Sequence, residues 1–184
     1  MPNTDADWFR SSGLKLDERG YVTVDGYGRT NLDGVWALGD ITPGHALAHR
    51  AFEQGITIAE KIAGADPKPV LDDTVPQVVF SFPEAASVGL TLDQAKARED
   101  VVEPKETAYP MLSNARMLMS GEGGSMTVVS GAFANNPDMQ VVLGVHIVSP
   151  IASDLIAEAE QLVGPACRCG TAHPPASHVQ RDAR

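Results

Sequence analysis

The residues whose types and spacing best suit chemistry are Gly39 and Asp40, which close the run Val35-Trp36-Ala37-Leu38-Gly39-Asp40. A strand in a parallel sheet is covered on both faces, so four consecutive apolar residues there need no alternation. At the end of such a strand a glycine lets a ligand approach the backbone. The aspartate offers two acceptor oxygens where open α/β sheets bind ligands, which suits a diol or a polyol. Taken alone, the same pair also reads as a turn leaving a core strand. His45 and His49 follow in Pro43-Gly44-His45-Ala46-Leu47-Ala48-His49 and read as loop histidines close to a helix start. Cys167 and Cys169 are one residue apart and form no structural disulfide framework. With His173 they raise the question of a metal site, but none is assigned, because the stretch around them lacks the pattern of a packed element.

Several elements must position these groups. Tyr21–Asp25 alternates as a strand, and Asp25-Gly26-Tyr27-Gly28-Arg29-Thr30 turns the chain into Val35–Leu38. Residues 46–63 carry Leu47, Ala51, Ile58 and Ile62 at helical spacing and end at Gly64. Ala65-Asp66-Pro67-Lys68-Pro69 reads as a linker, so a boundary is expected at 68/69. Beyond it, residues 76–82 are strand-like, and residues 83–90 continue towards a helix that starts at Thr91, with Gln94 completing a capping box. Residues 101–109 read as a strand, 112–118 as a short helical or looped insert, and 126–130 with 140–147 as a hairpin around Asn135-Asn136-Pro137-Asp138. A last helix is expected from Ser149-Pro150 to Val163, with Ile151, Leu155, Ile156, Ala159 and Leu162 on one face. Strands with helices on one side make this second part an α+β domain.

Composition narrows the function classes. Among 184 residues, 43% are hydrophobic and 21% charged, and the formal net charge is −10. An acidic chain without a basic cluster does not suit nucleic acid. No apolar run approaches the roughly 18 residues that cross a bilayer, and the polar start Met1-Pro2-Asn3-Thr4-Asp5 is unlike a signal peptide. The expectation is a cytoplasmic protein that binds neither nucleic acid nor membrane.

The run Trp36-Ala37-Leu38-Gly39-Asp40, with Thr30 upstream, resembles the second flavin motif of flavoproteins that have two dinucleotide-binding domains. Other pieces agree with it: Pro2-Asn3-Thr4, Leu47-Ala48-His49-Arg50-Ala51 with Glu53 and Gly55, Val79-Phe80-Ser81-Phe82-Pro83-Glu84 with Val88-Gly89-Leu90-Thr91, and Leu143-Gly144-Val145-His146. Residues 2–163 are similar to the C-terminal part of a class I pyridine nucleotide-disulfide oxidoreductase, most closely a dihydrolipoyl dehydrogenase. The resemblance implies an α+β chain in which the C-terminal part of an FAD-binding α/β domain (1–68) precedes an α+β dimerisation domain (69–164). It implies that Gly39 and Asp40 meet the ribityl chain of FAD, and that Leu47, Ala48 and His49 lie along the isoalloxazine. It further implies a homodimer through the residues after Val75 and, for the full-length family, NAD as second cofactor and a 2-oxo acid dehydrogenase complex as partner.

The departures from the family bear on activity. The sequence holds no G-x-G-x-x-G fingerprint for the FAD pyrophosphate, no C-x-x-x-x-C redox disulfide and no NAD domain. The expectation is a fragment that is inactive alone and carries no catalytic residue of its own. The family's H-P-x-x-S-E ending, whose His and Glu form a proton relay for the partner subunit, is missing, and family-like text stops at Gly164. Reading the codons of residues 165–184 from their second base allows P-L-A-D-A-A-R-L-I-H-P-H-P-T-F-S-E-T-L. A single-base shift near Gly164 is therefore expected to have replaced the native end, leaving His173 and His178 accidental. Two alternatives stay open: a stand-alone dimerisation or binding module, and a fragment of a related mycothione, glutathione or mercuric reductase.

Overall fold

The computed structural model describes residues 2–163, which divide into two compact units, the first ending at Asp72 and the second starting at Asp73. The cysteines, His173, His178 and the expected frame-shifted tail lie outside the described residues.

The first unit is built from turns, a short helix α1 (Asp7–Arg10) and a long helix α2 (Ala48–Ile62). Its core gathers Phe9, Val22 and Ala37, with Ala6, Leu14, Val24 and Ile41 packed against them. Two turns have the same construction. Asp17 Oδ1 accepts from the N–H groups of Arg19 and Tyr21, and Asp25 Oδ1 accepts from those of Tyr27 and Arg29, each at 2.9 Å. Short acidic side chains that satisfy nearby backbone donors favour turns over ladders.

Here the structure corrects two expectations. The strand over Tyr21–Asp25 is reduced to a bridge between Leu16 and Val22, and that over Val35–Leu38 to a bridge between Arg29 and Trp36. Only Ala37 of the second run is buried, while Val35 and Leu38 are each 38% exposed. A fully buried parallel strand needs a ladder on both sides, and among the described residues this run meets only the antiparallel segment 28–30, through Ala37 N–H to the Gly28 carbonyl and Thr30 N–H to the Val35 carbonyl. Helix α2 forms where expected, but its buried stripe is Arg50, Thr57 and Ile58, and Ile62 is 63% exposed.

In the second unit, β1 (Gln77–Val79), β2 (Glu84–Gly89), β3 (Val101–Pro110), β4 (Ser125–Phe133) and β5 (Asn136–Ser149) form one antiparallel sheet in the order β1-β2-β5-β4-β3. Residues 83–90, expected to lead into a helix, form β2, which pairs along its whole length with β5 from Glu84↔Ser149 to Gly89↔Gly144. Strand β5 shows the period of two: Val141, Leu143, Val145 and Ile147 are buried, and His146 and Val148, which alternate with them, are less so. The β4–β5 hairpin is tighter than its sequence suggests, since Phe133 already faces Asn136.

The helices of this unit follow their signals. α3 (Leu92–Ala97) has the capping box, with Gln94 N–H donating to Thr91 Oγ1 and Thr91 N–H to Gln94 Oε1. The insert consists of a 3₁₀ turn at Met111–Ser113 and α4 (Ala115–Ser120), which starts on the Asn114 side chain. The last helix, α5 (Ala152–Glu160), buries Ala152, Ile156 and Ala159 against Ala86, Val88, Val145 and Ile147. Leu162, expected on that face, lies beyond the helix and is 45% exposed.

A long-range cap fixes where α5 begins. Glu84 Oε2, at the start of β2, accepts from Ser153 N–H at 2.8 Å, which gives the helix N-terminus the side-chain cap that its own N-cap residue, Ile151, does not supply. The backbone and side-chain hydrogen bonds from Ser153 hold the Glu84 carboxyl below its ordinary range. A lowered carboxyl contributes stability above its unfolded-state pKa and loses it as pH falls through the folded value. We expect Glu84→Gln to lower the urea midpoint of the second unit at pH 7, with the gap from wild type closing as pH is brought down to about 3.

Candidate functional site

The site is a 3₁₀ turn, a loop and a helix start. The turn Gly39–Ile41 begins at buried Gly39, whose φ of +72° puts it in the region that glycine occupies without penalty. Gly39 is held from two directions. Its N–H donates to Gln54 Oε1 on α2 at 2.8 Å, and its carbonyl accepts from Thr42 N–H at 3.0 Å and Thr42 Oγ1 at 2.8 Å. Thr42 is buried, and the Ile41 carbonyl accepts from Val22 N–H at 2.8 Å, joining the turn to the small core. This bonding pins the backbone on both sides of Asp40 while its carboxylate is exposed, with no protein partner among the described residues.

The loop returns to α2 through Pro43, Gly44, His45 and Ala46. Leu47, the residue before the helix, makes no side-chain cap, and the first helical bond runs from Ala51 N–H to the Leu47 carbonyl. A helix N-terminus carries N–H groups without intrahelical partners and a partial positive charge. Here that end lies at exposed Ala48 and His49 and half-buried Leu47, whose own N–H donates to the His45 carbonyl at 3.0 Å. The five residues singled out from the sequence thus fall on one turn–loop–helix segment: Gly39 and Asp40 on the turn, and Leu47, Ala48 and His49 at the helix start. The geometry provides an acceptor at one end and donors at the other. It suits a ligand with hydroxyls facing the carboxylate and a carbonyl or developing anion facing the helix.

Sequence reasoning missed the residues that hold this arrangement, namely Thr42, Arg50, Gln54 and Asp72. Arg50 pairs with Asp72 (Nε to Oδ1, 2.6 Å) and donates through Nη2 to the Pro43 carbonyl at 2.6 Å. A signal was available, because positions 50, 54, 57 and 58 share one face of a helix. The polarity of Arg50, Gln54 and Thr57 placed them on the solvent side of a purely hydrophobic reading, which kept only Ile58 of this face. Among the described residues, no group of three or more His, Cys, Asp or Glu side chains could hold a metal ion, and no helix is long and apolar enough to cross a membrane.

Comparison with known proteins gives two matches along the chain. The family described as pyridine nucleotide-disulphide oxidoreductase matches residues 1–55, and the dimerisation domain of the same family matches residues 75–177. The dihydrolipoyl dehydrogenase of Cupriavidus necator is 39% identical over 194 aligned residues, covering 100% of this chain and 38% of that protein. That of Geobacillus stearothermophilus is 40% identical, covering 85% of the chain and 32% of its own length. Among solved structures, LpdA of Mycobacterium tuberculosis superposes with a TM-score of 0.77 at 29% identity, over 96% of this chain and 39% of that one. The flavoprotein disulfide reductase RclA of Escherichia coli shares the fold, with a TM-score of 0.68 at 21% identity over 87% of this chain and 36% of its own. The chain therefore spans under two-fifths of the length of these relatives.

The Gln54 contact generates a prediction within the chain itself. Gln54→Ala leaves the N–H of buried Gly39 unpaired and is expected to lower the unfolding free energy by about 1–3 kcal/mol. Gln54→Glu keeps an acceptor and should lose much less. Urea titrations of the two variants, followed by Trp36 fluorescence, compare them.

Proposed function

Because the chain belongs to the pyridine nucleotide-disulphide oxidoreductase family, whose members depend on FAD, we propose that it is the part of a dihydrolipoyl dehydrogenase that closes on the ribityl and isoalloxazine portions of FAD and carries the dimerisation domain. The observation that carries this reading is the bond from Gly39 N–H to Gln54, which ties the Asp40 turn to the helix whose N-terminus faces the same ligand. In the complete enzyme FAD would supply the redox chemistry that couples a dithiol–disulfide pair to a nicotinamide, for the oxidation of dihydrolipoamide with NAD.

The donor set of this chain fits the flavin. Asp40, exposed and without a protein partner among the described residues, accepts hydroxyl hydrogens of the ribityl chain. The start of α2, at Leu47, Ala48 and His49, turns a positive helix end towards the pyrimidine edge of the isoalloxazine, while the Leu47 N–H itself is committed to the His45 carbonyl at 3.0 Å. Negative charge at that edge is favoured beside such a helix end. Thr42 and Gln54 touch no ligand; they fix the backbone from which Asp40 projects.

The residues after Val75 form the homodimer, and the 2-oxo acid dehydrogenase complex is the partner of the assembled enzyme in the cytoplasm. The dimer reading is supported by the match of residues 75–177 to the dimerisation domain. It is also supported by the large apolar side chains Val79, Phe80, Phe82 and Val148, which the second unit leaves exposed. A net charge of −10 argues against nucleic acid as a partner.

Two measurements test the reading. The 184-residue chain should show no NADH–lipoamide turnover with added FAD, because its sequence holds no C-x-x-x-x-C pair. Turnover abolished by Cys167→Ser would reassign the redox centre to the tail. In sedimentation velocity the chain should form a dimer, and restoring the H-P-T-F-S-E text at its end should tighten that dimer. A strict monomer from both versions would overturn the dimer assignment.

A further inference from the structure

Helix α2 buries a charge that the flavin contacts do not use. The Arg50 side chain is 5% exposed, and two of its three nitrogens are engaged, Nε by Asp72 and Nη2 by the Pro43 carbonyl. The third, Nη1, is buried with no hydrogen-bond partner among the described residues. Burying a guanidinium with a nitrogen unsatisfied is unfavourable, and an apolar side chain of similar volume commonly serves stability as well or better. The geometry points instead to the loop.

Gly44 passes directly against the ion pair with φ at +119°, and a Cβ there would collide with Arg50 Nη2 and with Asp72 Oδ2. The planar fork of an arginine reaches a carboxylate and a carbonyl in fixed relative positions, which a lysine ammonium does not reproduce. The loop is therefore held at its start by Thr42 and Gln54 through Gly39, and at Pro43 by Arg50. We propose that Arg50 is a positioning residue: braced by Asp72, it clamps the Pro43 carbonyl and so sets the path of residues 43–47, which fixes the N-terminus of α2 relative to Asp40. The inference rests on the flavin reading for the identity of the ligand, whereas the clamp is a property of the loop itself.

The test uses the full chain labelled with ¹⁵N. Amide shifts of Asp40 and Ala48 during titration with FAD read affinity even when binding is weak, and ¹⁵N relaxation of residues 44–47 reads the order of the loop. The amide of Ala37, bonded to the Gly28 carbonyl, reports the fold of the unit. Arg50→Met and Gly44→Ala are expected to drop the order parameters of residues 44–47 below about 0.6. They should also weaken FAD fivefold or more while leaving Ala37 rigid. Arg50→Lys restores neither property in full, and Asp72→Asn, which keeps one acceptor, gives a smaller loss of the same sign. If Arg50→Met unfolds the unit, Gly44→Ala decides by the same two readouts. Wild-type loop order and wild-type FAD affinity in Gly44→Ala and in folded Arg50→Met would overturn the clamp. The flavin reading fails separately: if FAD moves no amide of the wild type, or Asp40→Ala leaves its affinity unchanged, that reading falls, while a loop loosened in Arg50→Met still supports the clamp.

Discussion

The pinning of Gly39 from both sides is the constraint on which the first unit depends. Its N–H is committed to Gln54 of α2 and its carbonyl to Thr42, so the turn cannot shift without breaking bonds to buried groups. Only then does Asp40 project from a defined place. A carboxylate on a loose turn would have to be ordered by the ligand, and that ordering would be subtracted from affinity. Here the ordering is done by neutral hydrogen bonds inside the chain, and the carboxylate is left exposed.

The two units are stabilised by different means. In the second, the sheet and α5 bury a continuous apolar cluster from Ala86 to Val163, supplemented by Met111 and Met117. A second cluster around Val129, Val141 and Leu143 packs under α3 residue Ala95. Burial of this kind is non-directional and tolerates small shifts. The first unit has a small apolar core and relies on side chains that bond backbone: Asp17, Asp25, Thr42, Arg50 and Gln54. Such bonds are directional, so they specify geometry more sharply than they add stability.

Much of the second unit was legible because its signals are local. The capping box at Thr91 and Gln94, the alternation along β5 and the amphipathic stretch of α5 each need only a few neighbouring residues. Glu84 belongs to a local motif, but its role as a helix cap is not legible there, because its partner, Ser153, is 69 positions away. The two strands expected in the first unit fail for a related reason. Val35–Leu38 has the composition of a buried parallel strand, but strand formation depends on neighbours on both sides, and composition does not report them. The candidate site residues Gly39, Asp40, Leu47, Ala48 and His49, by contrast, lie within one short segment. Their supports do not: Gln54, Arg50 and Asp72 act on the loop from the helix and from the far end of the unit.

Helix α2 shows why polar burial escaped the sequence reading and why it matters. A hydrophobic stripe predicts which face is covered only when covering it is the helix's sole task. In α2 the covered face carries Arg50, Gln54 and Thr57 with Ile58, and two of these send their polar ends to the backbone of residues 39–43. The helix thereby fixes its own N-terminus relative to the loop that carries Asp40, through the buried side chains it sends to that loop. One rigid element holds both ends of the grip, so the spacing of acceptor and donors is set by bonds within a single unit.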